Sequence, residues 1–307
     1  MNYGIIGLGK QGKQHLSALL SLAKLDKDVN IFLCDVDEVY LKTISSELGL
    51  KSYSSCTNLL NNHKIDVLIL ALPNDKYNEI LNLSQLKNIN IIKEKPFATT
   101  LDEAKNFLKK SKENNFNLNI VQNRFFANHY IIAKKWLDSG LIGKLLFFEY
   151  RYTLNDKKES WYWNLQSGGG CWLNVGWHFA FLLSWFFGLP KDIKVNKIKS
   201  SKRAWNYNTD DTVFINCNYE NFYGNAYLSV VDSLSEDTFK IVGDIGMICI
   251  SKDNATLFDN DGNKITKENA ENLLSYMYQI KNVLNIDVGK NLLLHNLNAM
   301  KIINDNL

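Results

Sequence analysis

Short apolar runs alternate with longer segments of helical periodicity through the first third of the chain. Tyr3–Ile6 reads as an apolar strand, followed by a glycine turn and a helix to about Leu22. Strand Asn30–Cys34 and helix Val36–Leu48 come next. Asp66–Leu72 (DVLILAL) is apolar throughout, the pattern of a strand buried on both faces. Helix-like Asp75–Leu86 leads to strand Ile89–Lys93. Thr100 with Asp102 and Glu103 then opens another helix, with a capping hydroxyl and acids in its first turn. Asn117–Gln122 closes the series as a strand. Repeated strand–helix units with short connections predict a parallel sheet with right-handed crossovers.

Beyond about Gln122 the pattern changes. A helix is predicted over Asn128–Ser139 and a strand over Lys144–Thr153. Strands Thr212–Tyr219, Tyr223–Val231, Thr238–Val242 and Met247–Ile250 follow with no helix between them, which predicts an antiparallel sheet. A helix over Asn291–Asn304 ends the chain. The fold class is therefore α/β, with a doubly wound parallel sheet in residues 1–122 and an α+β domain in 123–307. Between Ser160 and Pro190 there is no charged residue, and Cys171–Leu189 is long enough to raise the question of a membrane span. Asn174, Gly176 and His178 inside the run, and three glycines before it, instead predict a buried helix lining a site. No membrane is expected as a partner.

Composition narrows the function. The 307 residues carry 35 basic and 32 acidic side chains, a balance of +3. Only Arg124, Arg151 and Arg203 are arginines, so the clustered guanidinium forks of phosphate and base readers are missing and nucleic acid is not expected. The five cysteines (34, 56, 171, 217 and 249) are odd in number and widely spaced, with no CxxC. They predict neither a disulfide framework nor a metal site, and they fit a reducing cytoplasm. The start lacks the basic region of a signal peptide.

The candidate chemistry begins at Gly7-Leu8-Gly9-Lys10-Gln11-Gly12. This GxGxxG ends the first strand and opens the first helix, and Asp35 ends the second strand 23 residues after Gly12. Together these form the dinucleotide-binding fingerprint in its proper context. Gly7 permits the tight turn, Gly9 lets the backbone approach a pyrophosphate, and Gly12 allows close helix–strand packing. Lys10 and Gln11 lie in the same loop. Asp35 can accept hydrogen bonds from the adenosine ribose. A 2′-phosphate there would face a carboxylate with no base following, so NAD is favoured over NADP.

Two further clusters carry polar groups. Glu94-Lys95-Pro96 follows the fifth strand, where ligands of doubly wound sheets lie, and Lys95 there can donate to a substrate oxygen. Leu72-Pro73-Asn74 follows the fourth strand and would border the nicotinamide in the same way. In Gly168-Gly169-Gly170-Cys171-Trp172-Leu173-Asn174-Val175-Gly176-Trp177-His178, Asn174 and His178 are four apart and would share one helical face. A histidine there suits proton transfer near neutral pH. The bland alternative is a core histidine. Trp161 and Trp163 are read either as core or as apolar faces for a sugar ring.

These motifs, with Ala71-Leu72-Pro73-Asn74 and Asn123-Arg124-Phe125, resemble those of the Gfo/Idh/MocA oxidoreductases over essentially the whole chain. The resemblance implies an N-terminal Rossmann domain and a C-terminal α+β domain. The second would carry a large open, mainly antiparallel sheet that makes homo-oligomer contacts, in a dimer or tetramer. It implies hydride transfer between a nicotinamide and a sugar, polyol or related carbonyl compound. By motif, Lys95 corresponds to the catalytic lysine and His178 to the catalytic histidine. Glu94 and Lys95 border the cofactor, and Arg124, Trp161, Trp163 and Asn174 join the substrate site. The family often has Asp where this chain has Asn174, Asp where it has Phe181, and His where it has Tyr77. Some members acting on nucleotide-linked sugars work with Lys and His and an Asn at this place, which draws the expected substrate that way. Two alternatives are an NAD-dependent glycosidase of the same fold and a non-catalytic NAD-binding regulator; the presence of both Lys95 and His178 weighs against the second.

Overall fold

The computed structural model describes residues 1–156, 163–165, 168–200, 207–282 and 285–307, with backbone alone at 272–274 and 286. The chain forms two units. One comprises Met1–Asn123 and Tyr276–Asn296, the other Arg124–Ser275 and Leu297–Leu307. The expected single boundary at residues 122/123 thus misses a return: residues 276–296 belong with the first unit.

The first unit runs β1 (Asn2–Ile6), α1 (Lys10–Leu25), β2 (Asn30–Cys34), α2 (Glu38–Leu48), β3 (Lys51–Tyr53), α3 (Cys56–Asn62), β4 (Val67–Leu70), α4 (Tyr77–Ile80), β5 (Asn90–Lys93), α5 (Leu101–Glu113) and β6 (Asn117–Ile120). Its parallel sheet has the order β3-β2-β1-β4-β5-β6. All four β4 residues are fully buried, as the continuous apolar run requires of a strand covered on both faces. Strand order reverses beside β1, so the crevice between the ends of β1 and β4 is the topological switch point where such sheets bind ligands.

Two local predictions fail here. β3 and α3 carry little apolar periodicity, and β3 is a half-exposed edge strand of three residues. The helix predicted over 75–86 breaks into α4 and short 3-10 turns at Asn74–Lys76 and Ser84–Leu86. Asn and Ser in this stretch compete with helical backbone hydrogen bonding.

The second unit starts with α6 (Asn128–Asp138), β7 (Leu145–Asn155), α7 (Gly170–Asn174) and α8 (Gly176–Phe187). Then follow β8 (Asp192–Ile198), β9 (Thr212–Asn218), β10 (Tyr223–Ser229), β11 (Val231–Gly243), β12 (Gly246–Ser251), β13 (Asn254–Asp259) and β14 (Lys264–Asn269). Their sheet has the order β14-β13-β12-β11-β7-β10-β9-β8, antiparallel except for the β7–β10 pair. β8 and β14 escaped the sequence reading because they are the outermost strands and mostly exposed, with Lys and Asn in place of an apolar face. Ala255 and Leu257 of β13 are buried, but the strand is too short and too mixed to stand out.

α9 (Asn272–Asn282) and α10 (Ile286–Asn304) complete the chain, and each divides between the units. In the first unit Gln279 accepts the backbone N–H of Gln122 (3.2 Å) and donates to the carbonyl of Ile120 (3.2 Å). Gln122 in turn donates its amide to Asn296 Oδ1 (2.7 Å). All three side chains are buried, so the end of β6 is held by a polar network from the last part of the sequence. In the second unit Asn298 donates to Ser184 Oγ (2.9 Å) and the Trp172 indole to the carbonyl of Ile303 (3.3 Å). No helix among the described residues is long and apolar enough to cross a membrane.

Candidate active site

In the first unit the glycines of the β1–α1 loop have separate physical reasons. Gly7 has φ +89°, and a Cβ on it would lie 2.4 Å from the carbonyl oxygen of Ala71. A Cβ on Gly12 would meet the carbonyl of Gly7 at 1.9 Å, so only glycine lets α1 approach the loop. A Cβ on Gly9 would meet nothing within 4 Å. The loop is open there, above a 16-residue helix whose N-terminus has no side-chain cap and no acid in its first turn. Its free N–H groups and dipole suit a bound anion. Lys10 is exposed and Gln11 half-buried in the first turn.

Asp35 folds back on the loop. Oδ2 accepts the N–H of Leu8 (2.6 Å) and Oδ1 that of Asp37 (3.0 Å). A carboxylate has about four acceptor positions, so two remain for ribose hydroxyls. Across the switch point, Asn74 is 4% exposed, and its Nδ2 has no hydrogen-bond partner among the described residues. A buried amide donor left this way is costly unless a ligand oxygen meets it. Leu72 and Pro73 flank it, half-buried, and Leu72 donates its N–H to the Tyr77 hydroxyl (3.3 Å). Open space at Gly9, acceptor capacity at Asp35 and an orphan donor at Asn74 together fit a dinucleotide.

The turn after β5 is anchored from inside. Glu94 Oε1 lies 2.8 Å from His15 Nε2, and both side chains are buried. Glu94 Oε2 accepts the N–H of Lys95 (3.2 Å). His15 packs edge-on against Tyr276 at 5.1 Å, and the Tyr276 hydroxyl donates to Gln11 Oε1 (3.3 Å). The Glu94 carboxylate is thus held between the α1 side chain and the turn, and Lys95 is half-buried beside it. His15 was missed by sequence reading. Its signal was its place three residues after Gly12, one turn along α1 from the loop.

In the second unit the buried helix predicted within the uncharged run is interrupted at Val175, giving α7 and α8. Gly169 and Gly170 have φ +75° and +73°, and a Cβ on Gly170 would crowd Thr209 and Asp210 at 2.7–2.8 Å. The Asn174 amide donates to the carbonyls of Gly168 and, at 3.1 Å, Gly170. Its donors therefore close the glycine turn. His178 is half-buried in the first turn of α8, its N–H donated to the carbonyl of Val175 (3.1 Å).

Asp210 accepts the N–H of Trp172 on Oδ2 (2.6 Å), capping α7. Burial pushes its carboxyl up to about 6, although the Trp172 N–H pulls the other way. Asp211, fully buried, accepts from Ser200 and from the Tyr207 and Thr212 hydroxyls. Neither acid was singled out from the sequence. The acidic pair itself, set just before β9, was their only mark.

Two expected substrate contacts are differently placed. Arg124 is buried, pairs with Asp237 (2.7 Å), donates to the Tyr150 hydroxyl and lies 5.2 Å from the Tyr152 ring centre. Its guanidinium is thereby committed within the second unit. Trp163 is 5% exposed with its ring against Tyr207 (6.1 Å), so it presents no open face in a loop. Trp161 lies outside the described residues.

Comparison with known proteins gives a consistent picture. A family model described as the oxidoreductase family with NAD-binding Rossmann fold matches residues 1–121, and one for the GFO/IDH/MocA C-terminal domain matches 130–249. An uncharacterised oxidoreductase of Schizosaccharomyces pombe is 28% identical over 155 residues, 50% of this chain and 42% of that protein. A myo-inositol 2-dehydrogenase of Thermotoga maritima is 24% identical over 145 residues, 47% of this chain and 42% of that protein. The chain spans about half the length of the curated relatives it matches. Among solved structures, the WlbA dehydrogenase of Bordetella pertussis, in complex with NADH and UDP-GlcNAcA, matches with a TM-score of 0.79 at 18% identity. That match covers 99% of this chain and 94% of the other, and it is a likeness of fold.

Proposed function

Because the chain belongs to the Gfo/Idh/MocA oxidoreductase family, we propose that it is an NAD-dependent dehydrogenase or reductase acting on a CH–OH group. Its substrate is a sugar or nucleotide-linked sugar, oxidised at a ring carbon. The observation that carries this reading is the switch point itself. It offers an open helix N-terminus at Gly9, an acceptor at Asp35 and an unpartnered buried amide at Asn74, with the Lys95 turn on the next strand.

When bound, the nicotinamide accepts or supplies the hydride. Gly7, Gly9, Lys10, Gln11 and Gly12 hold the pyrophosphate side, Asp35 the ribose, and Leu72-Pro73-Asn74 with Glu94 the nicotinamide side. Lys95 donates a hydrogen bond to the reacting oxygen and stabilises its developing negative charge. His178 takes the hydroxyl proton during oxidation and returns it during reduction. The C–H bond is broken as hydride leaves and the O–H bond as the proton leaves, so alcohol becomes carbonyl with charge balanced. Asn174 serves by closing the turn ahead of α7, and any substrate contact from Trp161 or Trp163 is secondary.

The protein is further proposed to be a cytoplasmic homo-oligomer. Exposed Leu146, Phe214 and Tyr223 on the large sheet of the second unit support the association.

The test is a thermal-shift panel of nucleotide sugars, free sugars and inositols with NAD present, followed by NADH formation with each stabilising compound. A compound that shifts the melting temperature only with cofactor and also yields NADH supports the reading. Release of an aglycone with no net NADH would replace it by the glycosidase alternative.

A further inference from the structure

β5 ends in a lysine that points inward. Lys93 is 0% exposed, among the largest fully buried side chains of the protein. Its ammonium donates to the carbonyl of Glu94 at 2.9 Å and to that of Pro96 at 2.8 Å. These two carbonyls flank Lys95. The same nitrogen lies 3.6 Å from the centre of the Tyr77 ring and 5.8 Å from that of Phe107. Tyr77 is also buried, and its hydroxyl accepts the N–H of Leu72. One cation therefore touches the turn after β5 directly and the turn after β4 through a single aromatic ring.

We propose that Lys93 is a positioning residue that locks the Lys95 turn to the Leu72–Asn74 turn, fixing the backbone from which Lys95 acts. The proposal rests on the reading of Lys95 as the group that meets the reacting oxygen. The physical case is one of donors and charge. Buried carbonyls need partners, and both carbonyls here face a side chain with three donors and no acceptor. A cation held over a desolvated aromatic face gains further attraction. No apolar side chain of similar length would bind either carbonyl. A lysine that only packed against its neighbours would serve no better than methionine.

The lock is sensitive to protonation. Burial brings the Lys93 amine down to about 7. Glu103 on α5 and Glu94 in the turn oppose that fall, and Lys95 adds to it. Tyr77 and Phe107 present uncharged rings. In the unfolded chain the amine stays protonated to about 10.4. The native state therefore sheds its proton first, and the lysine's contribution to global stability increases as pH rises from about 7 to about 10. The local lock follows the opposite trend, because charge-assisted donation is strongest below 7.

Amide hydrogen exchange on the full chain saturated with NADH separates these effects. The reporters are Lys95 N–H, held by Glu94 Oε2, and Leu72 N–H, held by Tyr77. Lys93→Met is expected to speed exchange at both by about tenfold or more, with β6 amides unchanged. In the unmodified protein both amides, corrected for intrinsic rate, should loosen with a midpoint near pH 7; this arm needs no variant. With a substrate identified as above, Lys93→Met should lower kcat more than it changes the Kd for NADH. Unchanged exchange at Lys95 and Leu72 in both arms would overturn the lock while leaving the role of Lys95 intact. A normal kcat in Lys93→Met, with exchange accelerated, would overturn its bearing on catalysis. Activity retained by Lys95→Ala would instead overturn the underlying reading.

Discussion

The side-chain amide of Asn174 donates to the carbonyl oxygen of Gly170, 3.1 Å away and one helical turn earlier. It also donates to the carbonyl of Gly168, so one amide closes the turn that launches α7. An aspartate here would have no donor for either carbonyl, and its charge would face two partial negative charges. Loss of a buried hydrogen-bonding partner costs about 1–3 kcal/mol, more for a charge. Asn174→Ala should therefore lower the melting temperature, and Asn174→Asp should lower it further at neutral pH. Thermal unfolding of the three proteins checks the order. An Asp variant as stable as the unmodified protein would show that the amide donors are not needed.

Asp35 sets the choice of cofactor. NAD(H) should raise the melting temperature more than NADP(H) at equal concentration, because ligand binding to the native state stabilises it. Asp35→Ala should narrow the difference and also loosen the loop, since Leu8 and Asp37 lose their acceptor. Equal or tighter binding of NADP(H) to the unmodified protein would sink the argument from charge.

Lys95→Ala and His178→Ala should each lower turnover by about 10² or more while NAD still binds. Cofactor titration by fluorescence and steady-state kinetics on the identified substrate read the two effects separately. Near-full turnover in either variant would remove that residue from the reaction. Weakened cofactor binding alone would make it structural.

Asp210 predicts a pH dependence of stability. Its carboxyl sits at about 6 in the folded protein and near 4 in the unfolded chain. Between those values the folded state binds the extra proton, so this group's contribution is fully present below about 4 and lost as pH rises through about 6. Asp210→Asn keeps an acceptor for the Trp172 N–H and removes the titration. The variant should gain on the unmodified protein from pH 4 to 6 and hold a constant advantage above. Parallel unfolding curves over that range would contradict the assignment.

Much of the first unit was legible because its signals are local. A glycine loop between strand and helix, an acid closing β2 and an apolar β4 each carry their own physical reason. What escaped depended on partners distant in sequence. His15 matters through Glu94, 79 residues on, and its place one turn past the glycine loop does not reveal that partner. Arg124 was assigned to the substrate through the motif it sits in, and that motif does not show its companion Asp237, 113 residues away. Asn174 was read by its spacing to His178, whereas the break at Val175 and the two turn carbonyls decide what its amide does. The outermost strands β8 and β14 were invisible for a different reason: strands with little buried surface leave little pattern.

The network of Gln122, Gln279 and Asn296 bears on how the protein forms. During synthesis from the N-terminus, β6 emerges long before the residues that satisfy its end. The nucleotide-binding half cannot reach its final state until about residue 296 has left the ribosome. Until then the end of β6 stays hydrated and unanchored, a topology of high contact order that slows folding and lengthens exposure to aggregation. A fragment ending at residue 122 would be arrested in that waiting state, so the half that looks most self-sufficient in sequence is the one that depends on the end of the chain.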